Sequence, residues 1–295
     1  MPNYRTHSIH GEQILPHLRM MNQHTYIPRE DFKTYCIGPD ALIFGDKKLF
    51  SYQHANNTRD YFLSLINCIK ENGLEEKPEI IAFLYGHLDH FVLDTTMHPL
   101  INYMTAGLPR TYLMHPHAIV ENWIDDYVKQ KYNSKEIFYY HRFAIKSEEL
   151  KSVINEVYRQ VYAVNGPSNK YTIGNIGIEA FDVLGRAKVL PIAPLLFRLF
   201  LVGPVEYRKN ISRVLPYLNL EGETWYNPIT GEEYKESFDD LWNKSKQIAL
   251  DVIDDVNGSL YRGKDVNHPL ILNNTSFSTG EPCEKGKALS FYKHY

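Results

Sequence analysis

Cysteine is scarce. The chain has 3 Cys in 295 residues, Cys36, Cys68 and Cys283, widely spaced and odd in number. That excludes a disulfide framework and a thiolate zinc site, so any metal held here is held by nitrogen and oxygen. Strong charge of either sign is also missing: the formal net charge is -3, with charged residues at 23%. No basic stripe points to nucleic acid, and no cationic face points to an anionic membrane. Long apolar runs are absent too. The most hydrophobic stretch, Val189 to Val202, carries Pro191, Pro194 and Arg198 and falls short of the roughly 20 residues a bilayer needs. The first residues, MPNYRTHSIH, lack an apolar core and a cleavage site, so a cytoplasmic chain is expected. There is no Gly-rich phosphate loop, no G-x-S-x-G elbow and no C-x-x-C, which removes the usual nucleotide-binding, serine-hydrolase and redox readings.

What the chain does have is histidine and tyrosine, 13 and 22 residues respectively. The pattern is helical throughout, without strand alternation, and the fold class is all-α. Helices are expected from Gly11 to Met21, from Thr58 to a stop at Gly73, from Pro116 to about Tyr132, after the Ser147 cap, and from Ser237 to Val256. Residues 36–54, rich in Gly, Pro and Asp, read as a long irregular loop, and 165–178 as loop. Two or three helices are expected between Ile178 and Leu218, and the polar tail from Asn257 reads as a surface arm. The organisation expected is a helical core over 1–165 and a helical extension over 166–295, packed on it as one domain.

The stretch that organises the chain is Ile80 to Tyr103, a helix with Pro78 in its first turn and Pro99 ending or kinking it. Ile81, Leu84, Leu88 and Phe91 recur at helical spacing, while His90, Asp94 and His98 stand at successive i, i+4 steps on one stripe. Burying that stripe leaves two imidazoles and a carboxylate in need of partners, and a metal ion suits all three. The plainer alternative is a set of satisfied core histidines. His117 and Glu121 form a second i, i+4 pair, Asp40 follows Gly38 and Pro39, His54 comes fourteen residues later, and His7 lies near the start. Such pairs hold N and O ligands at zinc distances of about 2.0–2.2 Å rigidly.

In that order, T-H in NYRTH, G-P-D, a histidine fourteen residues on, H-F-V-L-D, H-P and H-A-I-V-E, the chain resembles the zinc-dependent phospholipase C family over roughly residues 3 to 130. WYNPITGEEYKESFDDLW looks like a feature of unsecreted, clostridial-type members. The resemblance implies a multi-helix phospholipase C and zinc nuclease-like fold with a metal cluster between helices. It implies two or three Zn2+: one held by Asp40, His54 and His90, a second by His98, His117 and Glu121, and a third by His7 and a bridging Asp94. In the secreted members the third zinc also uses a processed amino terminus, for which Pro2 is the stand-in after loss of Met1. His87, His115 and Asp125 fall outside the pattern. The expected activity is phosphodiester hydrolysis of phospholipase C type, with water activated between metals attacking phosphorus and Asp40 orienting or deprotonating it. Ala41 stands where the secreted members carry an aromatic, so choline specificity is not carried over. The expected partner is a phosphoester, phospholipid among the candidates, with peripheral membrane contact through Val189 to Val202. The alternatives are a zinc nuclease or other phosphoesterase on this fold, and a non-catalytic helical protein stapled by zinc.

Overall fold

The computed structural model describes residues 4–109, 115–132, 145, 147–173, 211–286 and 288–294. Met1, Pro2, the run Val189 to Val202 and most of the helices expected between Ile178 and Leu218 lie outside these. The described residues are mostly helical, with one two-stranded sheet among them.

Helix α1 spans Tyr4–Met21 and α2 Arg29–Tyr35. The segment expected to be an irregular loop is instead a 3-10 turn, Gly38–Ala41, followed by two short helices, α3 Leu42–Gly45 and α4 Lys47–Gln53. Asp46 starts the second of them by accepting from the Leu49 amide, an N-cap that needs no periodic apolar pattern. Then come α5 Thr58–Glu71, α6 Pro78–Thr105, α7 Pro116–Lys131 and α8 Glu148–Tyr162. Residues 167–173, expected as loop, are helical. A small antiparallel hairpin, β1 Trp225–Tyr226 and β2 Glu233–Tyr234, pairs Trp225 with Tyr234. Helix α9 runs Phe238–Tyr261 behind a Ser237–Asp240 capping box, and α10 covers Pro269–Leu272.

Helix α6 is the axis. It is apolar nearly all round and buried nearly all round, the signature of a helix sheathed by others. Pro99 neither ends it nor stops its burial: the helix continues to Thr105. Its first half packs with α2, α5, α8 and α9 around Phe62, Phe83 and Phe91, each worth about 1.5–3 kcal/mol on burial. Its second half packs with α7, Trp225 and the start of α9 around Met97, Ile124 and Trp242. Gly86 permits a close crossing with α2, since a Cβ there would lie 2.5 Å from the Tyr35 carbonyl carbon. Between the two apolar halves lies a belt of buried polar side chains.

Candidate metal centre

The belt is assembled from five elements. Helix α6 supplies His90, Asp94 and His98, and α1 crosses it and contributes His7. The 3-10 turn presents Asp40, His54 directly follows α4, and α7 carries His117 and Glu121. Gly38 explains how the turn comes so close: its φ is +58°, and a Cβ would sit 2.6 Å from Cγ of the His90 ring.

The geometry is a chain of carboxylates and imidazoles. His54 Nε2 is 3.1 Å from Asp40 Oδ1, and His90 Nε2 is 3.7 Å from the same oxygen. His90 Nε2 is also 3.2 Å from Asp94 Oδ2, while His7 Nε2 is 3.3 Å from Asp94 Oδ1. The His7 and His90 rings stack at 3.9 Å. At the other end His117 Nε2 is 2.7 Å and His98 Nε2 3.7 Å from Glu121 Oε1, with His98 Nδ1 3.9 Å from Asp94 Oδ2. Ligand atoms of three groups lie close enough to share an ion: His7, Asp40 and His90; His54, His90 and Asp94; and His98, His117 and Glu121.

Protons are placed by what surrounds the rings. His54 Nδ1 faces the Phe50 carbonyl at 2.7 Å, His90 Nδ1 the Cys36 carbonyl at 3.1 Å, and His98 Nδ1 the Phe277 carbonyl. A carbonyl only accepts, so each Nδ1 carries the hydrogen, and in the neutral ring it is then Nε2 that presents a lone pair. Thr105 gives its hydroxyl hydrogen to the Ile101 carbonyl at 2.6 Å, so its oxygen accepts from His117 Nδ1 at 3.4 Å, with the same result. Lone pairs therefore point at carboxylate oxygens. Both His7 ring nitrogens, His90 Nε2 and both Asp94 oxygens are buried without a hydrogen-bond partner. Unpartnered buried polar groups of this kind cost about 1–3 kcal/mol each, and a divalent cation among them would satisfy imidazole lone pairs and carboxylates together.

The electrostatics agree. Burial lowers the His7 and His98 pKa values to about 3 and that of His117 well below its ordinary value, so these rings are neutral and free to ligate at pH 7. Burial pushes the Asp40 carboxyl up to about 8, opposed by His90 and reinforced by Asp94. For Asp94 burial also works against ionisation, while charge on His98 and His90 and contacts with His7 and His90 pull the carboxyl down. Because burial keeps His7 and His98 neutral, a cation bound there would supply the pull that their charge does not.

Residues outside the expected set complete the surroundings. His10 bridges α1, α6 and α9, with Nδ1 2.7 Å from Asp89 and Nε2 2.8 Å from Ser245 Oγ, all three buried. Asp125 Oδ1 accepts from the Thr6 amide at 2.9 Å and its hydroxyl at 2.6 Å, tying α7 to α1 beside His7. His87 points away from the belt and pairs through Nδ1 with the Tyr61 hydroxyl at 2.7 Å, and His115 caps α7. The tail beyond Asn257 is no surface arm: Asn257 lies inside α9, and Phe277 is buried against His54 and His90 at ring distances of 5.3 and 5.8 Å. No sequence pattern announces a ligand-orienting backbone carbonyl such as that of Phe277. A spacing of three residues after His7 on the same helix was the available signal for His10.

Comparison with known proteins gives one finding of family. A family model described as zinc dependent phospholipase C matches residues 6–165. No curated protein and no solved structure matches the chain.

Proposed function

Since the chain belongs to the zinc-dependent phospholipase C family, we propose that it is a phosphodiester hydrolase whose zinc ligands are the eight residues of the buried belt. The observation that carries this reading is the set of imidazole nitrogens aimed at buried carboxylates, with His90 Nε2 and both Asp94 oxygens lacking any hydrogen-bond partner. In the proposed assignment Asp40, His54 and His90 hold one zinc, His98, His117 and Glu121 a second, and His7 with Asp94 a third. Zinc at such sites supplies positive charge against the phosphate oxygens and acidifies water.

The chain's own groups do the rest. Asp40 is the proton acceptor in this scheme: it sits on a turn rather than a helix, and zinc would displace the proton that burial favours on its carboxyl, leaving a carboxylate able to accept one. Phe50, Cys36 and Phe277 fix the imidazoles through their carbonyls, so ligand directions are set before anything binds. The family makes a phospholipid-type phosphoester the substrate class of choice. Ile43 and Tyr52, exposed on the helices flanking His54 and Asp40, supply an apolar rim of the kind an interfacial substrate needs. No helix among the described residues is long and apolar enough to cross a membrane.

The test is zinc content by elemental analysis beside hydrolysis of a chromogenic phosphodiester and of phospholipid vesicles. Two or three zincs per chain are expected, with hydrolysis lost to a chelator. Asp40→Asn should cut the rate by about 10²-fold or more, zinc content being measured on the same sample. Bound zinc without hydrolysis of either substrate would reduce the centre to a staple, and absence of zinc would refute it.

A further inference from the structure

The chain returns to the belt more than a hundred residues after the family match ends. Thr275 pairs with Pro282, the Ser276 amide donates to the Glu281 carbonyl at 2.8 Å, and the Cys283 amide donates to the Asn274 carbonyl at 2.9 Å. These bonds close residues 274–283 into a tight loop, and the loop is seated on α6. The Asn102 amide donates to the Ser278 carbonyl at 2.9 Å. Gly280, at φ +71°, comes so near the helix that a Cβ would lie 2.4 Å from the Thr95 carbonyl oxygen.

The loop touches two of the candidate ligands through polar atoms. The Phe277 carbonyl accepts from His98 Nδ1, which leaves His98 Nε2 facing Glu121. Three donors converge on the His54 carbonyl: Ser276 Oγ at 3.0 Å, the Ser278 amide at 3.2 Å and Ser278 Oγ at 3.3 Å. One contact selects a tautomer and the other three hold a backbone in place. Partners of this sort change metal affinity by about 10–100-fold in known centres.

We propose that residues 274–283 are a positioning element of the metal centre, setting zinc affinity through His98 and His54 in addition to their contribution to stability. The proposal rests on the zinc reading above. It is tested in the full chain with Asn102→Ala, Ser276→Ala and Gly280→Ala, and with Val256→Ala, a buried α9 residue remote from the belt, as a matched destabilised control. Zinc affinity is measured by competition with a chromogenic chelator, at a temperature where circular dichroism shows each variant folded. At least one class of zinc should bind about 10–100-fold more weakly in the loop variants, while Val256→Ala stays within about twofold of the wild type. Should Gly280→Ala fail to fold, Asn102→Ala and Ser276→Ala decide. Unaltered affinity in those two, or an equal loss in Val256→Ala, overturns the proposal. Wild-type protein without zinc refutes the centre itself, a result distinct from zinc-loaded wild type with unaffected variants.

Discussion

Replacing Asp94 by Asn separates a metal ligand from a structural ion pair by the sign of its effect. The Asp94 side chain is fully buried, and neither oxygen has a hydrogen-bond partner. In metal-free protein its charge is desolvated and faces His7 and His98, which burial holds neutral, so removing the charge while keeping the shape should stabilise the fold, by roughly 2 kcal/mol for a desolvated polar group. For a chain of this size that raises the melting temperature by about 4 °C. With zinc the order of benefit reverses. Ligand at a hundred times its Kd adds about 2.7 kcal/mol to the wild type; if the variant binds a hundredfold more weakly, the same concentration adds about 0.4 kcal/mol. Thermal unfolding in chelator and in excess zinc measures both increments. A variant that melts lower than wild type in chelator and keeps the full zinc increment would refute the reasoning, because Asp94 would then be satisfied by protonated histidines.

Zinc uptake should release about one proton at pH 7, since Asp40 carries one up to about 8 whereas His7 and His98, at about 3, carry none. Affinity should weaken by up to about tenfold per pH unit below 8, and titration calorimetry in buffers of differing ionisation heat reads the proton directly. Metal-free stability should peak near pH 6.5. Below it, His7, His87, His98 and His117 stay neutral in the fold but charge when unfolded, so stability falls as pH drops towards 3. Above it, Asp40 and Asp125, raised to about 8 and 7 by burial, must ionise in the fold, so stability falls as pH rises; urea midpoints at three pH values check both arms. Gly38→Ala should cost about 1–2 kcal/mol for its left-handed backbone and displace the His90 ring, lowering both melting temperature and zinc content; unchanged values would show the turn to be more pliant than its 2.6 Å clearance implies.

The sequence discloses whatever repeats along one helix. His90, Asp94 and His98, and His117 with Glu121, are legible because spacing of four residues is a surface property of any helix. The same logic locates α5, α8 and α9, with the cap at Ser147 acting as expected. It fails where structure is short or nonlocal. Residues 36–54 form pieces of four to seven residues, too brief for any period to register. Pro99 reads as a terminator in isolation, but the packing of α6 on every side outweighs one lost hydrogen bond. The tail reads as polar because its serines bond inward to the His54 carbonyl, while its Ser278 carbonyl accepts from the Asn102 side chain of α6, contacts that only the fold brings near.

Exposure along the belt is uneven. The side chains of His7, His90 and Asp94 are fully enclosed, and those of Asp40 and His54 nearly so, whereas His117 is 20% exposed and Glu121 10%. The belt thus has a blind end and a mouth, and α7 forms the lip. Solvent therefore touches the belt more at His117 and Glu121 than at His7, His90 or Asp94. If zinc fills the belt as proposed, its exchange with solvent should be fastest at the His98, His117 and Glu121 site and slowest beside His7 and Asp94.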